Sequence, residues 1–441
     1  MFSNVLARRV PTNARLLSTT AGDKYKVVVV GAGSGGLSVA NQIYNRFKAA
    51  GKPLNKEDVA VVDSAHYHYY QPGWTLVGSG LKAKTETRRR LADLIPKHIA
   101  HIPESVQIFH PESSTITTTT GRSISYDMLV VAAGLQINWN GIEGLSQALV
   151  DSSSGVSSIY SYDTCDKAWA DIEALRSGNA IFTQPAGVIK CAGAPQKLMW
   201  MAWDRFRRTQ RGDNINVDFY TGMPTMFSVK KYSEALNSLR QQRHVGGYFE
   251  HNLVKVNSAN HTATFKKPDG TLVDTDYTLL HVTPPMGPLD FIKKSPIADS
   301  TGWVSVDPGT LRHTKSEFGN IFAIGDCSST PTSKTAAAIT AQAPILTENL
   351  FSVMDTGKLN ESARYDGYTS CPLLTGYGQL MLAEFKYGLV PEESFSDIFV
   401  DQAIPRRPFY HLKKDVFPAA YWNAMVNGNW FGRNAFRRPT F

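Results

Sequence analysis

Two cysteines carry the reactive chemistry legible in this 441-residue chain. Cys191 lies in Val188-Ile189-Lys190-Cys191-Ala192-Gly193-Ala194-Pro195, just after the apolar run Ala180-Ile181-Phe182. Cys371 lies in Thr369-Ser370-Cys371-Pro372. A thiolate is the nucleophile of thiol–disulfide exchange, so two positioned thiols read as sulfur redox chemistry. The chain has four cysteines, too few for a disulfide scaffold, and in a reducing compartment a disulfide reads as catalytic before structural. Cys165, in Asp163-Thr164-Cys165-Asp166, and Cys327 take no chemical role; Cys327 reads as packing. Neither H-x-x-x-H nor C-x-x-C spacing occurs, so no metal site is expected.

The elements that must position these thiols begin with a βαβ unit over residues 23–63. The strand Lys26-Val27-Val28-Val29-Val30 enters Gly31-Ala32-Gly33-Ser34-Gly35-Gly36. A helix follows with Leu37, Ala40, Ile43, Tyr44 and Phe47 at helical spacing, and the next strand, Val59–Val62, ends at Asp63. Gly31 permits the tight turn, Gly33 lets the backbone approach a pyrophosphate, and Gly36 lets helix and strand pack closely. The helix N-terminus faces the phosphates. Asp63 can accept hydrogen bonds from a ribose and would repel a 2′-phosphate, which favours FAD or NAD over NADP.

Two further segments select FAD. Val131-Ala132-Ala133-Gly134 resembles the stretch by which two-dinucleotide flavoproteins return to their FAD domain, and Gly325-Asp326 resembles their ribityl-binding motif. Lys334 and Thr335 precede a small-residue helix whose N-terminus could aim its dipole at the flavin edge that gains charge on reduction. A second α/β region spans about 151–300, and its Leu198, Met199, Met201, Ala202 and Phe206 read as core. Where a second glycine-rich phosphate loop would hold NADH, this region carries Cys191. That substitution points to sulfur chemistry feeding electrons to a flavin.

Charge is placed unevenly. The formal net is +8. Arg8, Arg9 and Arg15 contribute +3 within residues 1–22, which are rich in Ser and Thr and free of acids, the pattern of a mitochondrial transit peptide. Residues 401–441 contribute the other +5, through Arg406, Arg407, Lys413, Lys414, Arg433, Arg437 and Arg438 against Asp401 and Asp415. A basic excess confined to one aromatic-rich tail fits an anionic membrane surface, not nucleic acid. From Val416 to Gly432 no residue is charged. That run is too short and interrupted to span a bilayer, and its aromatics with bracketing Lys413, Lys414 and Arg433 suit a helix lying in the interface. Tyr377, Phe385, Phe409, Tyr410 and Phe417 are candidate channel walls, although an aromatic stripe at such spacing is more often core or membrane contact than a ligand site.

With these segments in view, the chain resembles the eukaryotic mitochondrial sulfide:quinone oxidoreductase family over nearly all of 23–441. The resemblance is most specific at Tyr70–Gly78, Lys190–Lys197, His281–Met286, Gly325–Cys327 with Pro331–Thr335, and Thr369–Pro372. It implies an α/β fold with two Rossmann-like dinucleotide-binding domains and a C-terminal membrane-associated helical region. The expected organisation is a transit peptide (1–22), an FAD domain in two parts (23–150 and 301–350), a second Rossmann-like domain (151–300) and a tail (351–441). Ser34, Gly35, Asp63, Gln71 and Asp326 correspond to FAD contacts, as does Val106 through its backbone. Cys191 and Cys371 correspond to the redox pair, and Lys197 and Lys413 to lysines near the active site and flavin.

The implied reaction has hydrosulfide attack the oxidised pair, bridged directly or through an extra sulfur. Cys371 keeps the persulfide and Cys191 leaves as the thiolate that donates to the flavin. Ubiquinone takes the electrons at the mitochondrial inner membrane. Glutathione, sulfite or cyanide takes the sulfane sulfur. Two rivals remain: a type II NADH:quinone oxidoreductase, which would need a second glycine fingerprint after the strand near 180–189 that Gln184–Gly187 and Cys191–Gly193 do not provide, and a membrane-docked flavin protein without catalysis, which would tolerate loss of both thiols.

Overall fold

The computed structural model describes residues 23–398 and 400–441; the expected transit peptide lies outside them. Two sheets organise the chain. The first runs Ala100–Ile102, Val59–Val62, Asp23–Val30, Ser123–Val131, Thr115–Thr118, Val106–His110, with Ile321–Ala323 pairing in parallel to Ser123–Val131. Its central strands are parallel. Val27–Val30 and Val59–Val62 are buried throughout, as a parallel strand covered on both faces requires. The 104–134 stretch contributes the antiparallel strands at one edge.

The second sheet is wholly parallel, in the order Val156–Ser157, Leu279–His281, Gly178–Gln184, Ile215–Thr221, Gly246–Phe249. A three-stranded antiparallel sheet, Asn252–Asn257, Thr262–Lys266 and Leu272–Asp276, packs beside it. The chain crosses between the two Rossmann-like bodies twice, and the crossings pair with each other: Gln136–Ile137 lies antiparallel to Met286–Gly287.

Three helices set the site. α1 (Ser34–Ala49) starts at the glycine loop. α2 (Ala194–Arg208) has Pro195 in its first turn, where a missing N–H costs nothing, and buries Leu198, Met199, Met201, Ala202 and Phe206. α3 (Ala336–Thr356) is capped by Thr335, whose hydroxyl accepts from the Ala338 amide at 3.0 Å. After α3, the Cys371 strand (Thr369–Gly376) pairs antiparallel with Gln379–Lys386.

The C-terminal tail is helical and packs partly into the protein. It forms short helices over Arg407–His411, Leu412–Val416 and Phe417–Asn423, yet Tyr421, Trp422, Met425 and Val426 are buried in the same apolar cluster as Leu37 and Ile43. Of the expected bracketing cations, Lys413 is buried, Arg433 pairs with Glu392 and Lys414 pairs with Asp415. Val416 and Phe436 remain exposed. Burial in protein and burial in lipid favour the same side chains, so composition alone could not separate them. Among the described residues, no helix is long and apolar enough to cross a membrane.

Candidate active site: a thiol pair beside a dinucleotide cavity

A cavity of about 680 Å³ opens between the sheets. Its lining includes the glycine loop, Asp63, Gln71, Gly134, Cys191, Lys197, Asp326, Lys334, Thr335 and Lys413. Local backbone explains the loop. Gly31 sits at φ +94° with the Ala132 carbonyl 2.6 Å from where a Cβ would be, and a Cβ on Gly36 would overlap the Gly31 oxygen. Gly33 and Gly134 have nothing within 4 Å of theirs, so main chain there faces open space wide enough for a pyrophosphate. The Asp63 carboxylate is oriented by the Ala32 and Ala65 amides at 2.6 and 2.8 Å. Burial pushes the Asp326 carboxyl up, against the pull of Lys334 and Lys190. Open glycine backbone, an oriented ribose-facing carboxylate and a second acid across the cavity fit FAD.

The thiols come from two different parts of the fold. Cys191 precedes α2 instead of sitting on it, at φ +53°. Its amide donates to the Lys334 carbonyl at 2.8 Å, and Lys190 bridges Lys334. The second body is thereby stitched to the entry of α3, and the sulfur stands over the cavity. Cys371 is 2 % exposed. Its strand neighbours Ser370 and Pro372 line the cavity, so alternation turns Cys371 to the other face, toward α2. A Cβ on Gly193 would come within 2.6 Å of its sulfur. All four cysteines are unpaired.

Electrostatics divide the pair. The Cys371 thiol donates to Cys191, and Lys197 and Lys413 add positive charge; together these hold Cys191 well below the ordinary thiol range despite burial. The same hydrogen bond and burial push Cys371 well above it. The Lys197 ammonium lies 3.2 Å from the Cys191 sulfur. Burial would lower it, but the charge of the thiols brings it up to about 12. Burial and the Lys197 charge lower Lys413 to about 7, and its amine donates to the Pro72 carbonyl at 2.8 Å. The arrangement favours a Cys191 thiolate paired with the Lys197 ammonium.

Not every expected residue converges. Val106 is outside the cavity lining; it begins the edge strand, and its side chain packs in the cluster with Phe109 and Ile116. Of the five proposed quinone walls only Phe417 lines the cavity. Phe385, Phe409 and Tyr410 are core, and the Tyr377 hydroxyl donates to the Ser79 carbonyl at 2.7 Å. Other lining residues escaped sequence reasoning, four of them with telling contacts. Lys190 donates to Gln71 at 2.8 Å; Tyr160 is held protonated by burial beside Cys191; His68 and Tyr421 meet at the glycine loop. Only Lys190, next to Cys191, had a local signal. Among the described residues no cluster of His, Cys, Asp and Glu could hold a metal ion.

Gly193 gives a first test. In Gly193→Ala the new methyl would meet the Leu373 and Cys371 side chains at about 2.5 Å and must displace the Cys371 sulfur from its place beside Cys191 or push Leu373 aside. Flavin content should hold while sulfide-driven flavin reduction slows at least about tenfold, because exchange requires aligned sulfurs. An unchanged rate would mean the pair is not used together.

The fold and cavity define a two-dinucleotide flavoprotein architecture, and residues 25–174 match the pyridine nucleotide-disulphide oxidoreductase family. The chain is 51 % identical over 445 residues to the mitochondrial sulfide:quinone oxidoreductase of Schizosaccharomyces pombe, covering 97 % of this chain and 96 % of that one. It is 45 % identical to the Dictyostelium discoideum protein of the same name, over 94 % and 88 % of the two chains. The Aquifex aeolicus sulfide:quinone oxidoreductase structure superposes with a TM-score of 0.72 at 16 % identity, covering 92 % of each chain. The chain belongs to the mitochondrial sulfide:quinone oxidoreductase family of flavin-dependent oxidoreductases.

Proposed function

We propose that this enzyme oxidises hydrogen sulfide at the Cys191/Cys371 pair, with FAD in the cavity, ubiquinone as electron acceptor and a small nucleophile as sulfur acceptor, at the mitochondrial inner membrane. The observation that carries this reading is the Cys191 sulfur, 3.2 Å from Lys197, over the cavity that the glycine loop lines.

The division of charge assigns the sulfurs their roles. In exchange the thiol of lower pKa leaves faster. Hydrosulfide therefore attacks the Cys371 sulfur of the oxidised pair. The new S–S bond makes a Cys371 persulfide, the old one breaks, and Cys191 departs as thiolate beside Lys197. FAD held by Gly31–Gly35, Asp63, Gly134 and Asp326 would supply a two-electron acceptor next to that thiolate. Glutathione, sulfite or cyanide then takes the outer persulfide sulfur and leaves the Cys371 thiolate, so that loss of two electrons restores the bridge. With glutathione the balance is hydrogen sulfide, glutathione and quinone to glutathione persulfide and quinol.

The structure also disfavours a nicotinamide at the second body. The loop after Gly178–Gln184 lies directly on the neighbouring strand end. The Ala186 amide donates to Asn252 at 2.9 Å, and a Cβ on Gly222 would come within 2.4 Å of Ala186. The loop at Ala186 thus packs on Gly222 and the Asn252 side chain at the strand ends where a second dinucleotide binds in such sheets.

Anaerobic titration of the purified protein with sulfide, following the flavin spectrum, tests the reading. Bleaching of the main flavin band by sulfide, reversed by quinone, is expected. Bleaching by NADH with no response to sulfide would replace this function with NADH oxidation.

A further inference from the structure

The polar side chains that α1 turns toward the tail fall in one stripe. Ser34, Ser38, Asn41 and Asn45 recur at i, i+4, i+7 and i+11, one face of the helix. Each reaches the tail. The Ser34 hydroxyl lies 2.7 Å from the Tyr421 hydroxyl, Ser38 donates to the Met425 carbonyl at 3.2 Å, Asn41 to Val426 at 2.9 Å and Asn45 to Asn427 at 2.9 Å. Gly428, at φ +73°, then passes so close to α1 that a Cβ would be 2.6 Å from the Gln42 amide. A tail held only by apolar contact would show no such register.

At the cavity end the zipper meets His68. Its Nδ1 is 2.9 Å from the Ala32 carbonyl and its Nε2 is 2.5 Å from the Tyr421 hydroxyl. A carbonyl can only accept, so Nδ1 carries the proton. The buried ring is neutral, its pKa lowered to about 4 by burial, so Nε2 accepts from Tyr421. Tyr421 must then accept from Ser34. One directed chain of protons, Ser34 to Tyr421 to His68 to Ala32, starts and ends on the glycine loop. Ser34, His68 and Tyr421 all line the cavity.

We propose that the C-terminal tail is a wall of the dinucleotide site: Tyr421 and His68 are positioning residues that hold the glycine loop in its binding geometry, so docking of the tail on α1 and retention of FAD are coupled. This rests on the reading of the cavity as an FAD site.

The test is the rate of FAD release from the holoenzyme, read as the rise of free-flavin fluorescence after dilution. Tyr421→Phe keeps the ring and removes two hydrogen bonds, and release should quicken roughly tenfold. Ser34→Ala with Tyr421→Phe should release no faster than the faster single variant, because both break one chain. Asn45→Ala, which touches no part of the cavity, should still quicken release about threefold; it carries the test if Tyr421→Phe fails to fold. Release within twofold of wild type in both variants, or strict additivity of Ser34 and Tyr421, would overturn the coupling. A wild-type protein that takes up no FAD would overturn the cofactor reading and this inference with it.

Discussion

Cys191→Ser should yield a protein that keeps its flavin and is no longer reduced by sulfide, with the rate of flavin bleaching down at least about 10³-fold. The serine hydroxyl is nearly isosteric, and Cys191 packs only at the edge of its apolar cluster, so the fold and the glycine loop should not respond. What is lost is the thiolate that Lys197 and the Cys371 thiol stabilise; an alkoxide is not available at neutral pH. Cys371→Ser should fail as completely, because it removes the sulfur that hydrosulfide attacks. Cys165→Ser and Cys327→Ser provide the contrast. Burial raises both thiols, to about 12 and about 11, and neither lines the cavity, so turnover should stay near wild type. Stopped-flow reduction by sulfide, with flavin content from the absorbance spectrum, checks all four. A Cys191→Ser enzyme with full sulfide oxidation would sink the mechanism.

What the sequence disclosed follows how far apart the interacting residues lie. Gly31, Gly33, Gly36 and Asp63 sit within one βαβ unit, where spacing alone dictates geometry. Asp326 and the Thr335 cap were legible because each stands at the junction of a strong strand or helix signal. The thiols were legible as a pair only through the segments around them; nothing in their spacing of 180 residues states that a strand will turn Cys371 toward Gly193. The Tyr421–His68 bond joins residues 353 positions apart, and the Tyr421–Ser34 bond residues 387 apart. No periodicity encodes such contacts. Which tail aromatics face protein is not legible in the sequence, because an uncharged, aromatic, base-flanked run is the same string whether lipid or protein covers it. The structure changes the meaning of one obvious experiment: deleting residues 408–441 would remove Lys413 and Tyr421 along with any membrane contact, so lost activity would not report on the membrane.

Lys197→Met should produce the second large effect, and its pH dependence is the diagnostic part. The Cys371 hydrogen bond, Lys197 and Lys413 hold the wild-type Cys191 well below the ordinary thiol range, so its thiolate fraction should vary less with pH than that of the variant. Methionine fills the buried space without the charge. Cys191 then rises, opposed by the Cys371 hydrogen bond and Lys413 that remain, and below its new pKa the thiolate fraction falls tenfold per pH unit. A poorer leaving group also slows its departure from the bridge. Flavin reduction by sulfide at pH 7 should drop about 10²-fold and recover to within about tenfold by pH 9.5. Taking the variant-to-wild-type ratio at each pH cancels the ionisation of sulfide itself. Lys413 limits the size of the effect. The Lys197 charge is one of the two causes that lower Lys413, so removing it lets Lys413 protonate more readily and partly replace the lost cation. Lys197→Met with Lys413→Met should therefore exceed the product of the two single effects at pH 7. A pH-independent loss in Lys197→Met would assign the lysine a packing role and leave the Cys191 thiolate to the Cys371 hydrogen bond and Lys413 alone.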